Sequence, residues 1–182
     1  MKTHLFRSTS LIAAFALTAC AALIPSQYSV PKAKLVSKLQ QTFPLQREVG
    51  KGLFSVRMNT PVLNLLVDKN RVELVGDIAA HSLLMETVTG QFTLSGALRY
   101  DRDERAIYIQ DAQLDALQIS TDPAAAEMLR PFLNVMLREY LNNTPLYRFQ
   151  TDELRFAGQE IDITGIQIQS NALLLKLAAP AK

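Results

Sequence analysis

The chain has 182 residues, 48% of them hydrophobic, with two histidines and one cysteine. A single thiol excludes a disulfide within the chain, and so few ligating side chains leave no His-rich or Cys-rich metal set. The formal charge of +2 is carried by Lys2 and Arg7, since residues 1–19 contain no Asp or Glu and the remaining 163 residues balance 17 bases against 17 acids; a neutral chain without clustered Lys and Arg has no electrostatic footprint for nucleic acid.

Lys2, His4 and Arg7 form a short basic segment, and residues 11–19 form an apolar segment closed by small side chains. This is the layout of a secretory signal peptide, and it is too short to span a bilayer, which takes roughly 20 apolar residues. Leu17-Thr18-Ala19-Cys20 resembles the lipobox of bacterial lipoproteins. That resemblance implies cleavage before Cys20, a diacylglyceryl group on its thiol and a further acyl chain on the new amino terminus. Two or three chains on one residue make a stable anchor, because each buried methylene contributes about 0.8 kcal/mol and one chain alone holds only marginally. Ala21 and Ala22 follow the cysteine, in place of the aspartate that often retains such proteins in the inner membrane, so the expected address is the periplasmic face of the outer membrane. The expected organisation is a signal peptide over residues 1–19, a lipidated tether over 20–27 and one domain over 28–182. So short a tether should hold that domain close to the membrane surface.

Residues 28–30 read as a short strand. A helix over residues 31–42 follows, with Ser29 or Val30 near its N-cap and Pro31 in its first turn. Leu35, Val36, Leu39 and Phe43 recur at helical spacing, while Lys32, Lys34, Lys38 and Gln40 face elsewhere. Strand signals dominate residues 53–120. The clearest lies at 87–100, where Val88, Phe92, Leu94, Leu98 and Tyr100 share one parity and Thr87, Thr89, Gln91, Thr93, Ser95 and Arg99 the other, so one face is buried and one is wet. Gly90 and Gly96 fall on the apolar parity, where a missing side chain permits sharp bending or a close approach. Residues 68–70 and 101–104 read as hairpin turns.

A second helix starts with Asp122 as N-cap and Pro123 in the first position. Ala125, Met128, Leu129, Phe132, Leu133, Met136, Leu137, Tyr140 and Leu141 keep a 3.6-residue period, which predicts a wide apolar stripe. Pro131 interrupts the run and should kink or split the helix; Asn142-Asn143-Thr144-Pro145 ends it. Residues 146–149, 161–168 and 172–177 read as strands, with a bulge at Gly165. The order of helix, many strands, helix and strands points to an α+β fold with a mainly antiparallel sheet.

Pro131-Phe132-Leu133-Asn134, Leu137-Arg138-Glu139-Tyr140-Leu141-Asn142 and Pro145-Leu146-Tyr147 together resemble the helix-to-strand segment of the YceB-like bacterial lipoproteins, a family defined by a domain of unknown function. The resemblance extends to the Cys20 anchor, the Tyr28-Ser29-Val30 start with its helix, and the strand Val72-Glu73-Leu74-Val75-Gly76. It implies a strongly curved, mainly antiparallel sheet wrapped around a long Pro-kinked helix in the C-terminal half, plus one N-terminal helix. This is similar to one module of the tubular lipid-binding proteins, which carry lipids between sheet and helix.

Chemistry is scarce. Beyond residue 20, His81 is the only histidine and no cysteine is left as a nucleophile, and no Gly-x-Ser-x-Gly elbow is present. Asp101, Asp103 and Glu104 could suggest a calcium loop, but Arg102 and Arg105 oppose a cation and the glycine of an EF-hand loop is missing. A charged hairpin tip is the simpler reading. No catalytic residue, metal or cofactor is therefore expected. The remaining candidates are apolar: Phe92, Leu94 and Leu98 on the sheet and Met128, Phe132, Met136 and Tyr140 on the helix, either lining a pocket for a lipid or other apolar ligand or simply making the core. The expected function is a non-catalytic anchored lipoprotein that binds such a ligand. The alternative is a structural or interaction lipoprotein with a filled core, working through protein partners that the sequence does not name.

Overall fold

The computed structural model describes residues 25–82, 85–119, 123–156 and 158–178. Cys20, the expected signal segment and the N-cap expected at Asp122 lie outside them.

Strand β1 (Gln27–Pro31) leads directly into helix α1 (Lys32–Thr42). Pro31 is the N-cap and not part of the first turn. Its extended φ of −61° and ψ of 143° set the chain for helix entry without a side-chain cap, and the Lys32 amide instead donates to the Asn171 carbonyl at 2.9 Å. Leu35 and Leu39, one turn apart, are the residues α1 buries. Next come β2 (Leu45–Val49), β3 (Phe54–Met58) and β4 (Val62–Leu66), a 3-10 turn at Val67–Lys69, and then the long strands β5 (Arg71–Ser82), β6 (Met85–Asp101) and β7 (Ala106–Ile119). Helix α2 (Pro123–Asn143) is followed by β8 (Tyr147–Arg148), β9 (Arg155–Phe156), β10 (Gln159–Glu160), β11 (Asp162–Ile168) and β12 (Ala172–Ala178).

The strands form a seven-stranded antiparallel sheet in the order β2-β3-β5-β6-β7-β8, with β4 also pairing β5. Strands β3 and β4 share one side of β5, β3 along Ile78 to His81 and β4 along Arg71 to Val75. A three-stranded sheet, β1-β12-β11, and the β9-β10 pair complete the fold. This is the α+β, mainly antiparallel architecture with one N-terminal helix and one helix in the C-terminal half.

Curvature originates in β6 and β7. A Cβ on Gly90 would lie 1.9 Å from the Gln118 carbonyl oxygen, and one on Gly96 would lie 2.3 Å from Ile109 Cγ2; only glycine lets the neighbouring strand come so near. The register shifts between Thr93 and Leu94 and between Ser95 and Ala97, where Asp111 takes a φ of +50°. These are bulges, which bend a strand and raise its twist. Arg71 holds the second one, its guanidinium donating to the Ser95 carbonyl at 3.1 Å and the Asp111 carbonyl at 2.9 Å. That cover buries Ser95, which by parity alone belongs on the wet face.

Helix α2 packs along β7. Leu129, Leu133, Leu137 and Leu141 enter a single core with Leu74, Phe92, Leu94, Ile107 and Ile109 of the sheet and Leu35 and Leu39 of α1. Pro131 does not split the helix, which is continuous from Pro123 to Asn143. Proline removes the bond to the Glu127 carbonyl, but Pro131 and Glu127 are both exposed, so water can solvate that carbonyl. Gly165 does mark a bulge, in β11 between Ile163 and Gly165.

Candidate functional site

A groove of about 530 Å³ runs between β2 and α2, within the roughly 300–1,000 Å³ typical of small-ligand sites. Its helical wall is Phe132, Val135, Met136, Glu139, Tyr140 and Asn143, a spacing of three and four residues that places them on one face of α2. Its other wall is Arg47, Glu48 and Gly50. The Phe132 ring leans on Phe54 at 5.8 Å between centroids, and Tyr140 meets Phe43 edge-on at 6.5 Å. The Arg47 guanidinium lies 5.9 Å from the Tyr140 ring centroid, within reach of a cation–π contact. Burial raises the pKa of the Tyr140 hydroxyl. Gly50 turns the chain at φ +62°, and a Cβ there would come within 3.2 Å of Phe132 Cε1; glycine both eases the turn and leaves room for that ring at the floor of the groove.

The structure divides the seven apolar candidates. Phe132, Met136 and Tyr140 share the groove. Phe92 and Leu94, each 1% exposed, lie in the closed core under the sheet, where a Cβ on Gly76 would be 3.0 Å from the Phe92 ring. Leu98 packs against that core from the side. Met128 is 48% exposed: the buried stripe runs through Ala125, Leu129 and Leu133, and Met128 falls at its edge. Arg47, Glu48, Gly50, Val135 and Glu139 were not anticipated. The signal that could have found the first three is Gly50-Lys51-Gly52, a hairpin cue that follows the short segment Leu45 to Val49.

Polar clusters elsewhere are built to hold elements together. Glu153 accepts from Lys34 Nζ at 2.7 Å, the Tyr147 hydroxyl at 2.7 Å and the Gln150 amide at 3.0 Å. Burial pushes its carboxyl pKa up, but the hydrogen bonds from Lys34, Gln150 and Tyr147 outweigh this and hold it at about 2. The Tyr147 hydroxyl is pushed up to about 12, first by burial and then by its bond to Glu153. Glu104 likewise accepts from Tyr108 at 2.5 Å and Arg148 at 2.8 Å. His81 is exposed, with Nδ1 3.0 Å from Thr87 Oγ1. Among the described residues no three His, Cys, Asp or Glu side chains are placed to hold a metal ion, and no helix is long and apolar enough to cross a membrane.

The arrangement can therefore enclose an apolar body and meet a polar group at one end. The family described as "Protein of unknown function (DUF1439)" matches residues 30–171, which takes in both helices, the large sheet and both walls of the groove. The chain is also 24% identical over 159 residues to the "Uncharacterized lipoprotein YceB" of Salmonella typhimurium (strain LT2), covering 81% of this chain and 83% of that protein. With the match spanning the sheet, both helices and the groove between them, the chain belongs to the DUF1439 family.

Proposed function

We propose that this chain is a lipoprotein anchored through Cys20 at the periplasmic face of the outer membrane, and that it binds a lipid or similar apolar ligand without transforming it. The groove between β2 and α2 carries the reading: Phe132, Val135 and Met136 line a cavity of about 530 Å³, and Val135 stays 66% exposed there. Covering such surface is favourable by roughly 25 cal/mol per Å². The binding space is beside α2 and not between Phe92 and the helix, where the core is closed. Similarity to a protein named a lipoprotein supports the anchor, as do the lipobox and the signal segment. Native mass spectrometry of the membrane-extracted protein tests the ligand: a non-covalent adduct, shed on activation while the Cys20 lipid stays attached, is expected. Protein that is empty as isolated and takes up nothing from vesicles would defeat the reading.

A second reading has its own observation. Strand β2 ends the large sheet, so its outer edge offers unpaired amides and carbonyls to a partner strand. On this reading the protein is a docking lipoprotein, and a crosslinked protein partner along residues 45–49 would survive lipid extraction.

A further inference from the structure

The groove is not uniform along its length. At one end Phe132, Val135 and Met136 face Gly50; about 10 Å further along the helix, at 1.5 Å per residue, Glu139, Tyr140 and Asn143 face Arg47. One end is apolar and the other polar. That gradient fits a molecule with a tail and a head, laid parallel to α2. The head end also carries charges without ion pairs among the described residues. Arg47 makes a hydrogen bond to the Gln46 carbonyl at 2.9 Å and its contact with Tyr140, but no ion pair among the described residues; Glu139 also lacks an ion pair there. A purely anionic head would gain Arg47 but meet the Glu139 carboxylate. A purely cationic head would gain that carboxylate and meet Arg47. A head bearing both charges satisfies both sides.

Resting on the apolar-ligand reading above, we infer that the groove takes a single-chain zwitterionic amphiphile, a lysophospholipid whose phosphate sits on Arg47 and whose ammonium faces Glu139, with its acyl chain along Phe132, Val135 and Met136. The guanidinium presents a planar fork of donors suited to phosphate oxygens. The carboxylate supplies the acceptor that an ammonium needs. Nothing here requires a covalent step.

The test uses the lipidated full chain reconstituted in vesicles, with photoactivatable lysophospholipids that have identical chains and differ only in the head: zwitterionic lysophosphatidylethanolamine and anionic lysophosphatidylglycerol. Adducts are mapped by peptide mass spectrometry. The zwitterionic probe is expected to label residues 132–140 about fivefold more than the anionic one, a ratio of the size one charge-assisted contact gives near a surface. Glu139→Gln should bring the two probes level, and Arg47→Gln should lower labelling by both. Equal labelling of the wild-type protein, or a ratio unmoved by Glu139→Gln, overturns the headgroup assignment while leaving an apolar groove in place. Absence of labelling at residues 132–140 by either probe overturns the apolar-ligand reading and this inference with it.

Discussion

Glu153 ties together parts of the chain that are far apart in sequence. Its carboxylate joins α1 through Lys34 and the segment after α2 through Tyr147, and its side chain is only 16% exposed. A pKa held at about 2, below the ordinary 4.5, means that the folded state favours the charged form. The stabilisation is complete above about pH 4.5 and is lost as the pH falls towards 2. It should amount to roughly 2 kcal/mol after allowance for the half-exposed Lys34. Urea unfolding of wild type and Glu153→Gln should show the largest gap at neutral pH and convergence near pH 2; a gap constant with pH would mean that the carboxylate contributes no charge-dependent stability. Arg71 acts on the backbone instead. Arg71→Ala strips hydrogen bonds from the carbonyls of Ser95 and Asp111 at the bulge and should cost about 1–3 kcal/mol, read from the same denaturation curves. Gly90→Ala should cost at least about 2 kcal/mol, because its methyl meets backbone and not a side chain that can swing away.

Elements differ in how openly the sequence announces them. The β6 pattern is visible because its alternation runs unbroken over Val88, Phe92 and Leu94 against Thr87, Thr89 and Gln91, and α2 because its apolar residues hold a helical period. Strand β2 is hidden because it lies at a sheet edge: Gln46, Arg47 and Glu48 are all exposed, so no wet and dry faces alternate. That omission concealed the site, since β2 supplies one wall of the groove. The apolar residues on the helix could be read as a stripe, yet whether Phe132 and Met136 line open space or core depends on where β2 stops, which is a tertiary fact. Pro131 is the other element-scale feature: of the kink or split it predicts, the structure excludes the split. A continuous helix carrying an interior proline forgoes stability, so Pro131→Ala, which restores the amide for the Glu127 carbonyl, should stabilise the protein by about 1–3 kcal/mol. A lower denaturation midpoint for that variant would show that the ring fulfils a packing role. Leu133→Ala, in the fully buried part of the stripe, should cost about 2–5 kcal/mol.

At the scale of the whole molecule the two sheets are joined at separate points. The Ile168 amide donates to Asn70 Oδ1 at 2.9 Å, and Arg102, at the tip of the β6–β7 hairpin, pairs with Asp162 of β11. The chain enters the domain near the second of these, where the Leu177 amide donates to the Ser26 carbonyl at 2.9 Å and Ala178 lies opposite Asp162. The Gly50 turn follows Val49, at the end of the sheet where Ser55 pairs His81; this is the opposite end of β5 and β6 from Arg102. The Gly50 end of the groove thus lies away from the contact between Ser26 and Leu177. Whether this groove accommodates an apolar chain is measured most directly by the uptake of a fluorescent acyl lipid from vesicles by wild type and Val135→Trp. Val135 is exposed on the groove wall, so an indole there fills the space without disturbing the core. Uptake should fall by about tenfold, equivalent to roughly 1.4 kcal/mol of binding, with an unchanged unfolding midpoint; equal uptake by the two proteins would contradict the account.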